Sequence, residues 1–180
     1  MHISNYKTYH FINDFNKDHI LKLNKNISLI YRNYEKKINI NYLKKIRDFS
    51  KANNLKIFLA NDLKNAIKLK FDGVYISSFN KKIFRKDNLK KDFIILGSAH
   101  NLSEIRTKEK QGVNSLFLSP IFYKKDKQSL GLYRFISLKK LTKIKVVALG
   151  GINKMSIKKL SLIKVNQFAS ISYINKLYAK

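Results

Sequence analysis

An apolar run stops at two adjacent glycines, Gly150 and Gly151, in the stretch KVVALGGINK. Glycine is scarce in this chain, six in 180 residues, so a pair at the end of a buried-type strand needs a reason. Glycines let backbone N–H groups approach an anion closely, with a helix N-terminus behind them. The plainer reading is a tight turn that holds nothing. Other residues able to do chemistry fall in the same kind of place, just after an apolar run. Arg32 lies near the end of the strand-like run ISLIYRN, on an otherwise apolar strand, and burying a guanidinium unpaired is costly, which favours an anionic partner. Asn61 and Asp62 follow KIFLA, and Asp62 also precedes LKNAIKLK, where an Asp serves as a helix N-cap. Asn80 follows GVYISSF. Ser98 and His100 sit in GSAH, where His100 is either a helix cap or an acid–base group. Lys127 lies in the polar loop YKKDKQSLGLYR, and Ile171 and Ser172 lie in FASISYI. Asp14, before FNKDHILKL, again reads as a helix cap. His2, His10 and His19 show no metal-ligand spacing.

The elements that must position these residues alternate. Eight strand-like runs start at Thr8, Ile27, Lys56, Gly73, Phe93, Ser115, Lys145 and Phe168. Several are apolar on both faces, as buried parallel strands are. Between them, NYLKKIRDFSKA places Tyr42, Leu43, Ile46 and Phe49 on one helical face. NDLKNAIKLK and INKMSIKKLSLI repeat that period, and LSEIRTKEKQG ends at Gly112, a helix C-cap residue. Eight such units are the grammar of a compact (β/α)8 TIM barrel, expected here as a single domain over residues 1–180. The alternative is an open doubly wound sheet. In a barrel of this kind chemistry sits at the C-terminal strand ends, and phosphate sites are often built after strands seven and eight.

The formal charge is +27, from 38 basic and 11 acidic residues. That invites a nucleic-acid reading, yet only five of the 38 are Arg (Arg32, Arg47, Arg85, Arg106, Arg134), and Arg is the residue suited to bidentate phosphate and guanine contacts. Lysines are spread along the whole chain and Asn, Ile, Phe and Tyr are abundant, a pattern of drift toward A+T-rich codons. Nucleic acid is therefore expected at most as a non-specific partner. There is no cysteine, which excludes disulfides and thiolate metal sites and suits a cytoplasmic setting. The N-terminal residues lack the apolar core of a signal peptide, and no apolar run approaches the roughly 20 residues of a membrane span.

Taken in order, the motifs resemble those of thiamine-phosphate synthase and its relative, the thiazole tautomerase, over nearly the whole chain. KIFLANDLKNAIKLKFDGVYI is similar to that family's Asn-Asp, Ala-rich helix and Asp-Gly-Val-His-Leu. GSAHNLSE resembles its Gly-x-Ser-x-His and acidic helix start, SLFLSPIF its Tyr-x-x-x-Gly-Pro-x-Phe, VVALGGI its Val-Val-Ala-Ile-Gly-Gly-Ile, and FASISYI its last strand. The resemblance implies coupling of a hydroxymethylpyrimidine pyrophosphate to a thiazole phosphate, with Mg²⁺, to give thiamine phosphate and pyrophosphate. By position it implies Arg32 and Lys127 on pyrophosphate, Asn61 orienting it, and Asp62 and Asn80 at the metal. It places Ser98 and Lys127 at the reacting centre, and Gly150, Gly151, Ile171 and Ser172 on the thiazole phosphate.

The departures gather at one end. The family's Gln-x-Arg-x-Lys reads Ile30, Arg32 and Tyr34, its second metal carboxylate is Asn80, and its Gly-Gln is Ser77 and Ser78. Its Thr-x-Thr-Lys loop reads Lys124, Lys125, Asp126 and Lys127. The thiazole-phosphate end is thus expected intact, and the pyrophosphate and Mg²⁺ end altered. Two rivals stand beside this reading. One is a tautomerase-like or non-catalytic relative that kept only the phosphate cup. The other is a basic RNA- or membrane-associating protein on the same barrel.

Overall fold

The computed structural model describes residues 6–33, 39–84, 89–122 and 129–178. All eight expected strands form, as β1 Lys7–Ile12, β2 Ile27–Tyr31, β3 Ile57–Ala60, β4 Gly73–Ile76, β5 Ile94–Ala99, β6 Ser115–Leu118, β7 Lys145–Leu149 and β8 Gln167–Ala169. They pair in parallel in chain order, and β8 returns to β1 to close a barrel. The helices are α1 Lys17–Lys22, α2 Ile40–Ala52, α3 Leu63–Lys68, α4 Leu102–Lys110, α5 Gly131–Lys140, α6 Ile157–Leu162 and α7 Ser172–Tyr178. Among the described residues no helix lies between β4 and β5.

The apolar strands are buried on both faces because each side packs a different layer. Inside, Tyr9, Phe11, Phe58, Tyr75, Leu96, Phe117 and Val147 fill the barrel. Their rings meet edge to face, Tyr9 to Phe117 at 5.0 Å and Phe11 to Tyr75 at 5.1 Å between centroids, the arrangement the ring quadrupole favours. Outside, one cluster joins α1, α2 and α3 to β1–β4, and another joins α4, α5 and α6 to the other half. The helix α2 buries Leu43 and Ile46 as its period predicts, and its N-cap Asn39 accepts from Tyr42 N.

Local chemistry moved some boundaries. Asp14 does not cap α1; Asn16 does, accepting from His19 N at 3.0 Å. Arg32 is not within an apolar strand but one residue past β2, where its backbone N–H donates to Ile12 O at 2.9 Å. The stretch read as a strand from Phe168 ends at Ala169, so Ile171 and Ser172 form the β8–α7 junction.

Four of the six helix-to-strand turns share one device, a residue with left-handed φ just past the helix: Asn54 (56°), Lys70 (58°), Gly112 (63°) and Lys164 (52°). Only glycine adopts this region without a steric cost. Replacing Lys164 by glycine is therefore expected to stabilise the fold by about 1 kcal/mol. Urea denaturation checks this, and an unchanged midpoint would show that the Lys164 side chain recovers what its backbone loses.

Candidate active site

A cavity of about 320 Å³ opens at the C-terminal ends of the strands. It draws Arg32, Ser98, Gly150 and Ile171 to one mouth, together with Ser78 and His100. Arg32 is half-buried and lies with its guanidinium 5.0 Å from the Phe11 ring centroid, a cation–π contact that orients the charge over the barrel's top layer. Ser98 is the penultimate residue of β5, buried beside Phe117 of β6. Tyr34, Lys124, Lys125 and Lys127 lie outside the described residues.

At the β7 end the glycine pair has a structural reason of its own. Gly150 has φ +96°, and a Cβ there would stand 2.7 Å from Pro120 Cβ and 2.8 Å from Pro120 Cα. The close approach is fixed by two backbone bonds between these loops, Ile121 N to Leu149 O and Phe122 N to Gly150 O. Gly151 (φ +68°) continues the turn, and its carbonyl accepts from the Ser156 hydroxyl. The backbone N–H groups of Gly150, Gly151, Ile171 and Ser172 have no acceptor among the described residues. Four adjacent unpaired donors on two neighbouring strand ends are the local chemistry of an anion cup. A Gly150→Ala variant is expected to lose about 2 kcal/mol of stability through overpacking against Pro120. Thermal denaturation checks this, and a wild-type midpoint would show that the β6 loop yields freely.

The β3 and β4 ends are tied together differently. Asn61, with φ +57°, accepts from Ser77 N at 2.9 Å and donates to the Ser77 hydroxyl at 3.0 Å. Asp62 is the N-cap of α3: one oxygen accepts from Asn65 N at 3.0 Å, the other from Asn65 Nδ2 at 2.7 Å. The Asn80 side-chain oxygen accepts from Lys82 N. These three line a second cavity, about 370 Å³, beside α3 and the outer face of β4. For Mg²⁺, a hard cation held by carboxylates and water, they are a poor fit. There is one carboxylate, and both its oxygens are engaged by Asn65. No group of three potential metal ligands occurs among the described residues.

Two residues matter here more than their sequence context suggests. Lys108 on α4 is fully buried, and its ammonium donates to Ser77 O (2.8 Å), Asn80 O (2.9 Å) and Gln111 Oε1 (2.8 Å). Gln111 in turn donates to Asn80 O and Lys82 O. One internal cation, with Gln111, thus ties down residues 77–82 after β4. Burial lowers its pKa to about 8 from the ordinary 10.5, with Glu104 opposing the shift. His100 is not a helix cap, since Asn101 caps α4. Glu104 accepts from its backbone N–H at 2.7 Å. The His100 Nδ1 lies 2.7 Å from Ser119 O, a pure acceptor, so Nδ1 carries a proton. The other ring nitrogen, Nε2, lies 3.2 Å from the Ser78 hydroxyl. A pairing of base and hydroxyl at the mouth is equipped for proton transfer.

A closed parallel barrel with a cation, hydroxyls, an imidazole and unpaired N–H donors gathered at one mouth is a TIM-barrel protein of the kind whose chemistry lies at the C-terminal strand ends. The family model described as thiamine monophosphate synthase matches residues 22–174, and the chain belongs to that family. A thiamine-phosphate synthase of Prochlorococcus marinus is 33% identical over 123 residues, covering 66% of this chain and 36% of that protein; the chain thus spans about a third of that relative's length. One from Pelagibacter ubique is 30% identical over 163 residues, covering 86% of this chain and 79% of its own. The fold matches a thiamine phosphate pyrophosphorylase from Pyrococcus furiosus with a TM-score of 0.74 at 20% identity, over 97% of this chain and 92% of that one. No helix among the described residues is long and apolar enough to cross a membrane.

Proposed function

We propose that the chain is a thiamine-phosphate synthase, coupling a hydroxymethylpyrimidine pyrophosphate to a thiazole phosphate. The observation that carries this is the single mouth holding Arg32, Ser98, Gly150 and Ile171, since each comes from a different strand end and each is a residue to which the motif resemblance gives a role. In this reading the unpaired N–H groups of Gly150, Gly151, Ile171 and Ser172 hold the thiazole phosphate. Arg32, with Lys127, neutralises the pyrophosphate as its bond to the pyrimidine methylene breaks. Charge developing on a leaving group is where fixed cations lower a barrier. Ser98 lines the space between the two ends, and Asn61 keeps the β4 end in register through Ser77. The barrel aromatics beneath exclude water from the reacting centre. The Mg²⁺ assigned to Asp62 and Asn80 has no preformed site here, so no step is assigned to it.

The test is direct. Purified protein with both substrates should form thiamine phosphate. No product at any Mg²⁺ concentration, with thiazole phosphate still bound, would replace the synthase reading by a phosphate-binding relative. The metal end has its own expected outcome. Wild-type protein should show weak Mg²⁺ binding by calorimetry, and Asn80→Asp should tighten it by about tenfold by supplying a second negative charge. Unchanged binding would mean that these positions no longer face a common ion.

A further inference from the structure

Lysines that look evenly scattered in sequence are gathered by the fold. In a barrel of parallel strands every helix-to-strand turn lies at the same end, opposite the mouth. Lys7, Lys56, Lys70, Lys90, Lys143 and Lys164 each stand at or just before the start of a different strand, and all six are exposed. None is in an ion pair among the described residues. Every helix also carries a basic residue in its last turn, which points to the same end. The carboxylates there are few. Asp72 accepts from Ile57 N, Glu109 is engaged by Arg106 and Thr142, and Asp48 in the C-terminal half of α2 pairs with Arg47, leaving Asp92. At the mouth end the described carboxylates Asp14, Asp18, Asp62 and Glu104 offset more of the charge of Lys17, Arg32, Lys64, Lys81, Lys82, Lys154 and Lys158.

Helix C-termini attract cations, and that accounts for the last-turn lysines. It does not account for Lys7, Lys56, Lys90 and Lys143, which begin strands or lie in coil. Around this face several aliphatic side chains project into solvent at helix ends: Leu162 is 81% exposed, Leu21 57% and Leu141 47%. The exposed aromatics Phe79 and Tyr133 lie elsewhere, just after β4 and near the start of α5; among the described residues this face carries only half-buried rings, Phe93 beside Lys70 and Lys90 and Tyr178 at the end of α7, which offer bases less to stack on than exposed rings would. Long lysine stems with aliphatic side chains between them suit a surface that is anionic outside and apolar just beneath.

We propose that this face docks the protein on an anionic lipid bilayer, with the substrate mouth turned toward solution. The lysines supply attraction that acts within a Debye length of the headgroups, and Leu21, Leu141 and Leu162 insert shallowly.

Co-sedimentation with phosphatidylcholine vesicles, with and without about one third phosphatidylserine, tests this at about 0.1 M salt. The full chain should bind the anionic vesicles and not the neutral ones. A variant with Lys56→Glu, Lys90→Glu, Lys143→Glu and Lys164→Glu should lose about a hundredfold or more in partitioning. A control with Lys44→Glu, Lys45→Glu, Lys154→Glu and Lys158→Glu has the same net charge and should lose at least about tenfold less than that. Thermal melts confirm that both variants fold. Leu21→Ser with Leu162→Ser should weaken binding several-fold with the salt dependence unchanged. No binding of anionic vesicles by the parent, or equal losses in the two charge variants, would overturn the proposal. So would duplex RNA binding that is tighter than vesicle binding and lost in the face variant, which would assign the surface to nucleic acid instead.

Discussion

Truncating Lys108 to alanine should destabilise the protein by about 4 kcal/mol, the range seen when one partner of a buried charged cluster is removed. The change strips three hydrogen bonds at once and leaves Ser77 O and Gln111 Oε1 buried without that donor. Lys108→Met keeps the stem's volume and should lose less, so the difference between the two variants separates packing from polar loss. The effect should also reach the site, because the clamped loop carries Ser78, whose hydroxyl meets His100. The pH dependence has a definite sign. With a folded-state pKa of about 8 against an ordinary 10.5, the unfolded chain holds a proton between those values that the folded chain has released. Stability contributed by this group therefore rises with pH across that window. Wild-type melting should gain on Lys108→Met as pH rises from 8 toward 10.5. A constant difference between the two proteins over that range would show that the buried ammonium keeps its proton.

Replacing Arg32 with alanine should lower coupling turnover by roughly 10²–10³, the cost of removing one preorganised group that stabilises developing negative charge. Among the described residues Arg32 is the one Lys or Arg that lines the cavity of about 320 Å³, and its contact with Phe11 fixes where the charge sits. Arg32→Lys should recover only part of the loss, because a lysine keeps the charge but gives up the planar fork and the stacked contact. Thiazole-phosphate affinity should stay within about threefold of wild type, since a few tenths of a kcal/mol is typical for a distant site. Steady-state assays with each substrate varied in turn read this directly. An Arg32→Ala protein with wild-type turnover would remove Arg32 from the pyrophosphate end and leave the guanidinium as packing on Phe11.

Much of the barrel was legible in the chain because parallel strands buried on both faces read as unbroken apolar runs, and all eight such runs became strands. The period of NYLKKIRDFSKA likewise marked α2, whose Leu43 and Ile46 are buried. Short segments were less readable. The stretch from Phe168 looked like one strand, yet Ser172–Tyr178 is helical; over seven residues neither period is distinct. The helix α5 begins at Gly131 without a side-chain cap, so its start carried no signal among the polar loop residues.

The residue types at the strand ends were determined by sequence alone: which ends carry a cation, a hydroxyl or a glycine. What the tertiary structure decided was how those ends are held and what surrounds them. Lys108 reads as one more lysine in an amphipathic helix until the loop after β4 crosses over it and supplies three acceptors. Asp62 could be a cap by its sequence context, and the structure shows that it caps α3, with Asn65 engaging both its oxygens. Pro120 gives Gly150 its necessity from a loop 30 residues away. The lysines are scattered in sequence and gathered in space because strands that all run one way bring every helix-to-strand turn to the same end of the barrel.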